Sequence, residues 1–282
     1  MDKDPFLSNR IEEITIMNNK VKHVFGTYEW AVINANYING CSNNCKYCYS
    51  REMAIRFKRK TTENWKIEEV NYNQFNRKFK KVDGFVMFPS SHDITPSHLP
   101  ETVDFLRRII DAGNNVLIVS KPHFKVIETI CSEFVNHKKN ILFRFTIGSM
   151  DSEILKFWEP DAPDYKERKR CLKFAYENGF ETSVSCEPML DDNTISLVTD
   201  LQKYVSDFFW IGKANFLNRR LRMNGFTDEE TLRNVNKLID WQSDSNVKLL
   251  YRRLKGNSKV KWKESIKKVL NLEISTVRGA DE

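Results

Sequence analysis

No apolar run in the sequence approaches the roughly 20 residues needed to cross a bilayer. The start, Met1-Asp2-Lys3-Asp4-Pro5, lacks the basic stretch and apolar core of a secretory signal. Together these absences lead to the expectation of a cytoplasmic protein with no membrane partner. There is no internal repeat and no low-complexity linker. A disulfide framework is not expected either: of six cysteines, three crowd together while Cys131, Cys171 and Cys186 are scattered, and a reducing compartment keeps thiols free.

What is there is a chain of 282 residues, 40% hydrophobic and 29% charged, long enough to bury one large core. Short apolar runs rich in β-branched and aromatic residues recur at Ala31 to Ile38, Gly84 to Phe88, Asn115 to Ser120, Ile141 to Ile147, Thr182 to Cys186 and Phe208 to Gly212, each the length of a buried parallel strand. Helical patterns separate them. Val103, Leu106, Ile109 and Ile110 form one face between Pro100 and Gly113; Val126, Ile127, Ile130 and Phe134 form the next. Leu172, Ala175 and Tyr176 precede Gly179, and Leu197, Val198, Leu201 and Val205 follow. Alternating strands and helices predict an α/β fold, a partial (β/α)6 TIM-like barrel whose working end lies where the strands finish. The interval from Tyr49 to Asp83 reads as helical. Beyond Gly212 the rhythm changes: Thr227-Asp228-Glu229-Glu230 resembles a capping box opening a helix that contains Leu232, Val235 and Leu238. The expected organisation is an N-terminal extension (1–29), a barrel (30–218) and a small, mainly helical, basic C-terminal extension (219–282).

Cys41, Cys45 and Cys48 lie within eight residues directly after the first strand, in Asn39-Gly40-Cys41-Ser42-Asn43-Asn44-Cys45-Lys46-Tyr47-Cys48-Tyr49. Three sulfurs on one tight loop can each take one iron of a cubane, leaving the fourth iron open to another ligand. Zinc is the alternative, with His92 or a remote cysteine as fourth ligand.

This CxxxCxxC spacing, with aromatic Tyr47 before the third cysteine, resembles the radical S-adenosylmethionine superfamily over roughly Trp30 to Asn218. More narrowly it resembles the spore photoproduct lyase and DNA-repair-photolyase-like branch, through Cys-Lys-Tyr-Cys-Tyr at 45–49, Ser-Ser-His-Asp at 90–93, Ser-Lys-Pro at 120–122, and Glu-Pro-Asp-Ala-Pro from Glu159 with Arg168 after it. The resemblance implies a [4Fe-4S] cluster on the three cysteines and S-adenosyl-L-methionine on its open iron. It also implies a one-electron reductant such as flavodoxin or ferredoxin, and an enzyme of lyase or transferase type that takes a hydrogen atom from its substrate. Tyr47, Ser90, Ser91, Asp93, Lys121 and Thr146 are the cofactor-binding residues it suggests, and Glu187 is a candidate for the cofactor ribose or the substrate.

Each residue also has a plainer reading. Ser90 to Asp93 would serve as a turn capping a helix, Lys121 as a solvated loop charge, and Arg144 with Thr146, on one face of a strand, as an internal polar network. Tyr49 and Cys186 are candidate hydrogen-atom carriers, against aromatic packing for the first and a small buried hydrophobe for the second. Cys131 and Cys171 fit helix interiors. Spore photoproduct lyases carry a hydrogen-donating cysteine just before their Ser/Asp stretch; Ser90 stands there here, so direct repair of spore photoproduct is not expected. Gly212, Lys213 and Asn215 close the sixth strand and are assigned to substrate. Net charge is +7. Basic residues cluster at Arg51, Arg56, Lys58, Arg59 and Lys60, and again from Arg252 to Lys268 around Tyr251 and Trp262, a mixture suited to nucleic acid. The alternatives are a radical enzyme acting on a peptide or small metabolite, and a non-catalytic metal-binding module that grips nucleic acid.

Overall fold

The computed structural model describes residues 22–280, so most of the expected N-terminal extension, 1–29, lies outside the described residues. In chain order the strands are β1 (Ile33–Asn34), β2 (Ile38–Asn39), β3 (Glu69–Val70), β4 (Phe85–Phe88), β5 (Asn115–Ser120), β6 (Ile141–Thr146), β7 (Glu181–Cys186), β8 (Phe209–Ile211) and β9 (Val260–Trp262). Helix α1 (Tyr49–Arg56) follows β2, α2 (Tyr72–Phe75) follows β3, α3 (Leu99–Asp111) follows β4, and α4 (Phe124–Glu133) follows β5. After β6 come α5 (Ser152–Trp158) and α6 (Tyr165–Glu177), and after β7 comes α7 (Thr194–Leu201). Helices α8 (Leu217–Met223), α9 (Glu229–Trp241) and α10 (Asp244–Leu254) separate β8 from β9, and α11 (Glu264–Leu270) ends the series.

Seven strands form one sheet in the order β1-β4-β5-β6-β7-β8-β9, with every neighbouring pair parallel. Parallel neighbours require crossovers, which the intervening helices provide. This is the expected α/β architecture, and it is open: among the described residues β1 and β9 remain edges.

Strand alternation sorts the side chains onto two faces. Ile118, Phe143, Phe145, Val184 and Ile211 face the helices and join Leu106, Ile130, Leu172 and Leu197 in the main core. Met87, Leu117, Leu142 and Trp210 face the other way, onto Trp30 and Ala31. Arg144 shares that inner face. Its guanidinium lies 4.8 Å from the Trp30 ring and 5.1 Å from the Trp210 ring, and is paired with Asp207 at 3.0 Å and Ser183 at 2.9 Å. The cation is buried and fully engaged, which is what burial of a charge demands.

Three expectations need correction. The first apolar run does not make one strand: β1 is short, and β2 leaves the main sheet to pair antiparallel with β3. Asn36 supplies the reason, because its side chain accepts from the amides of Ser90 (2.7 Å) and Ser91 (2.9 Å) and draws the chain across the strand ends. The interval after the cysteines is helical only in α1 and α2; Lys58, at φ +56°, turns the chain back after α1. Helix α9 is capped by Asp228, not Thr227, through the Thr231 amide at 2.9 Å, and Leu232 faces solvent while Val235 and Leu238 are buried.

The basic tail is also more integral than its composition suggests. Val260 and Trp262 are buried as β9 pairs with β8, and Lys263 at its end is completely buried.

Candidate functional site

The cysteine loop sits across the C-terminal ends of the strands, where a parallel sheet leaves a crevice. Its entry depends on Gly40, at φ +98°. A Cβ there would come within 2.3 Å of the Ile67 carbonyl oxygen and 2.8 Å of that of Trp65, so only glycine fits. The next amide, Cys41 N, donates to Trp65 O at 3.0 Å. The loop's exit is the start of α1, where the Arg51 amide lies 3.4 Å from Cys48 Sγ. Between these ends Arg51 holds Asn44 Oδ1 at 2.7 Å, and the Asn224 amide donates to Lys46 O and Cys48 O, both at 2.9 Å.

Asp93 ties this loop to the sheet. Its carboxylate accepts from Asn43 Nδ2 (2.8 Å), the Lys121 amide (3.0 Å), the Ile94 amide (2.8 Å) and the Ser120 hydroxyl. With four donors both oxygens are occupied, and the carboxylate fixes the cysteine loop against the end of β5. Ser90 is reached from two sides, by Asn36 and by the Tyr49 hydroxyl, which donates to Ser90 O. His92 Nδ1 faces Asp93 O at 2.8 Å, and Nε2 lies 3.5 Å from the Tyr37 amide. Burial lowers its pKa to about 4, keeping the ring neutral. The 2.8 Å contact of Nδ1 with Asp93 O orients the ring.

A second network stands behind the loop. Tyr47 donates its hydroxyl to Glu159 Oε1. Glu159 pairs with Arg168 at 2.5 Å, both fully buried, and Lys121 Nζ lies 4.0 Å from the same carboxylate and 5.9 Å from the Tyr47 ring centre. Arg168 also donates to Thr146 O at 3.1 Å and Pro163 O at 2.8 Å. Burial alone would raise the Glu159 pKa, but Arg168 and Lys121 outweigh it and hold the group below its usual value. Lys121 is moved the other way: burial lowers it, while Cys45, Glu159 and Asp93 raise it further and keep it charged. It is therefore no solvated loop charge.

Burial raises all three thiols, Cys45 to about 12 despite Lys121, and Cys41 and Cys48 also above the ordinary range. The free loop therefore holds protonated thiols, and loading a metal releases protons.

On the far side, Glu187 follows β7 and its pKa is raised by burial against the pull of Lys263, whose ammonium is 3.5 Å away. Lys263 also meets Glu29 at 2.7 Å and Gly26 O at 2.9 Å. Gly212 is needed here because a Cβ would come within 2.9 Å of Glu187 Cγ and 3.0 Å of Lys263 Cβ; its close neighbours belong to the protein. Cys186 points to the opposite side of β7, into the helix-side core with Val184, and is 1% exposed. Cys131 and Cys171 are buried in the same core.

The structure thus brings Tyr47, Tyr49, Ser90, Ser91, Asp93, Lys121 and Thr146 into one linked network around the three cysteines, places Glu187 at the same end of the sheet, and puts Cys186 elsewhere. Sequence reading missed Asn36, Asn43, Asn224, Arg220 and Lys263. Each acts through partners distant in the chain, so no local spacing marks it.

The rim of this crevice carries Phe216, at φ +55° and 65% exposed. Arg219 lies 4.6 Å from its ring, and Arg220 5.9 Å from both that ring and Tyr49. The tail aromatics differ: Trp262 is buried and Tyr251 packs against it at 5.3 Å, which removes that pair from base stacking.

The family model described as the Radical SAM superfamily matches residues 35–205. Spore photoproduct lyase complexed with dinucleoside spore photoproduct superposes with a TM-score of 0.51 at 14% identity, over 73% of this chain and 63% of that one, so the chain spans less than two thirds of that relative's length. SuiB of Streptococcus suis, bound to S-adenosylmethionine, superposes with a TM-score of 0.47 at 11% identity, over 98% of this chain and 60% of that one. No curated protein matches the sequence. The family match spans more than half of the chain: the chain belongs to the radical S-adenosylmethionine superfamily.

Proposed function

We propose that Cys41, Cys45 and Cys48 hold a [4Fe-4S] cluster with one iron left for S-adenosylmethionine, and that the enzyme takes a hydrogen atom from a nucleic acid or nucleotide. The observation that carries this is the cysteine loop itself, fixed by backbone and side-chain hydrogen bonds across the ends of a parallel sheet. The donor set fits the cluster. All three thiols are free, and Lys121 and Arg220 lie near enough to lower Cys45 and Cys48 respectively, offsetting thiolate charge. Each thiolate of such a cluster binds its own iron.

When bound, the cluster and S-adenosylmethionine supply a primary carbon radical by one-electron cleavage of the sulfonium. The chain's own residues orient and shield. Lys121 presents an ammonium to the cofactor carboxylate, and Glu159 with Arg168 keeps it aimed. Ser90 and Ser91 offer hydroxyls to the cofactor amine, held in place by Asn36, while Asp93 acts by positioning the loop. Thr146 lines the inner face, and Glu187, steadied by Lys263, faces the ribose or the substrate. Tyr47 packs behind the loop. Tyr49 remains the candidate hydrogen carrier at the mouth; Cys186, closed off in the core, is not proposed as one.

Anaerobically reconstituted protein given S-adenosylmethionine and dithionite is expected to release 5′-deoxyadenosine and to contain about four irons per chain. An intact cluster without that product would overturn the reading. Label from a deuterated oligonucleotide should then appear in 5′-deoxyadenosine; its absence overturns the substrate class alone. The exposed Phe216, flanked by arginines, supports that class because bases stack on aromatic faces beside phosphate-binding cations. Replacing Phe216 by alanine is expected to weaken single-stranded oligonucleotide binding by about 1–3 kcal/mol, measurable by fluorescence anisotropy, with cluster content unchanged.

A further inference from the structure

Two surfaces outside the crevice are left without partners among the described residues, and they carry opposite charge. The first is the end of α1 and the turn after it. Phe57 and Ile67 are each 57% exposed and Met53 is 37% exposed. Arg56, Lys58 and Arg59 are exposed beside them and form no ion pair among the described residues. Residues 57–67 contain one carboxylate, Glu63, which accepts from the Thr62 hydroxyl. The second surface is a groove of about 700 Å³ between α5 and α9, with room for several side chains. Ile154, Phe157 and Trp241 line it half-buried, with Leu190 and Leu238 buried among them. Glu153, Asp192 and Glu230 stand exposed around it, again in no ion pair among the described residues. Two lysines share the lining. Lys156 is turned to Pro160 O, which leaves Lys237 as the groove's one cation without a partner among the described residues. In a chain of net charge +7, this excess of carboxylate is a local reversal of sign.

The two surfaces adjoin. Lys66, in the cationic segment, pairs at 2.8 Å with Asp161 just beyond α5. A Cβ on Gly225, shortly before α9, would lie 3.2 Å from the Thr62 side chain. Lys46 joins the two walls of the groove, with Nζ 3.5 Å from the Phe157 ring centre and 3.2 Å from the Thr231 hydroxyl. The molecule therefore carries a cationic area and an anionic area side by side, each with apolar side chains among its charges.

We propose that these surfaces bind a second copy of the chain about a two-fold axis, the Phe57 patch of one protomer seated in the α5–α9 groove of its partner and the reverse. A two-fold contact uses the same surface twice, so patch meets groove and groove meets patch. Apolar side chains left in water among charges of one sign mark a contact surface. The groove offers the sign that Arg56, Lys58 and Arg59 lack, while patch against patch or groove against groove would set like charges together. Both complements lie on one polypeptide, which favours a second copy over an unrelated basic or acidic partner. The contact makes no use of Phe216, Arg219 or Tyr49, so association is separable from access to the crevice. It is also independent of what the three cysteines hold.

Sedimentation equilibrium on anaerobically reconstituted protein tests this. The parent should dimerise, and more weakly as salt screens the charges. A groove variant, Glu153→Lys with Asp192→Lys and Glu230→Lys, should dimerise about tenfold or more weakly, as should a patch variant, Arg56→Glu with Lys58→Glu and Arg59→Glu. Mixed in equal amounts, the two variants present opposite charges at both contacts, and the mixture should regain the parent's dimer. That recovery also shows that both variants are folded. Phe57→Ser, at a position too exposed to disturb the core, should weaken the parent's dimer with no change of charge. A parent that stays monomeric overturns the proposal, and so does a dimer that neither triple variant weakens. Two monomeric variants that fail to recover on mixing, with circular dichroism matching the parent, overturn it as well. So does a monomeric parent whose groove captures a lysine-rich peptide, which would give the groove another occupant.

Discussion

Cys45→Ala is expected to lose most of its iron after anaerobic reconstitution and to form 5′-deoxyadenosine slower by roughly three orders of magnitude or more. The residue is 6% exposed and sits between the Asn43–Asp93 tie and the Tyr47–Glu159 tie. Its neighbours are fixed whether or not a sulfur is present, so alanine removes a ligand and the loop cannot move another into its place. Cys131→Ala provides the contrast. That thiol is as buried, at 4% exposed, but lies in the helix-side core, so its loss should leave iron content and turnover intact. Cys186→Ala should likewise retain 5′-deoxyadenosine formation. Equal iron in Cys45→Ala and the parent protein would sink the ligand assignment.

Arg168→Met is expected to be the most destabilising single change, by about 3–5 kcal/mol at neutral pH, because it breaks a buried ion pair and leaves its partner charged. Glu159 has no exposure to water, and its remaining cation, Lys121, is 4.0 Å away. The arginine's bonds to Thr146 O and Pro163 O would be lost as well. The sign with pH follows from the depressed Glu159 pKa. The group's contribution is complete above its unfolded value, near 4.5, and disappears as pH falls through the lower folded value. The gap in thermal midpoint between variant and parent should therefore be widest at neutral pH and should narrow in acid. A gap that stays constant down to pH values below the carboxylate range would assign the loss to packing instead.

The central strands were legible because each is a short apolar run between turn residues. The expected Asn115 to Ser120 coincides with β5, and β6 and β7 agree to within a residue. Strand β9 was hidden because Val-Lys-Trp reads as part of a basic tail; only its pairing with β8 reveals that Val260 and Trp262 face inward while Lys261 does not. The cysteine loop was legible for a different reason: its ligands are local, and local spacing is what a sequence displays. The groups that hold it are not local. Asn36 meets Ser90, Asn43 meets Asp93, and Glu159 meets Tyr47 across long stretches of chain. The same limit applies to Lys263, whose composition suggests a solvated charge and whose environment is fully enclosed between Glu29 and Glu187. Cys186 shows the reverse error, because strand position placed it at the mouth while alternation turned it into the core.

The side-chain amide of Asn224 has a bearing on the order in which the loop can be completed. It satisfies two carbonyls inside the cysteine loop, from a residue that lies beyond β8. A growing polypeptide that has emerged only through β8 already has its three sulfurs, yet those carbonyls still lack their donor. Those two carbonyls are satisfied only once α8 has packed over the turn, which couples the shape of the cysteine loop to a helix far along the chain.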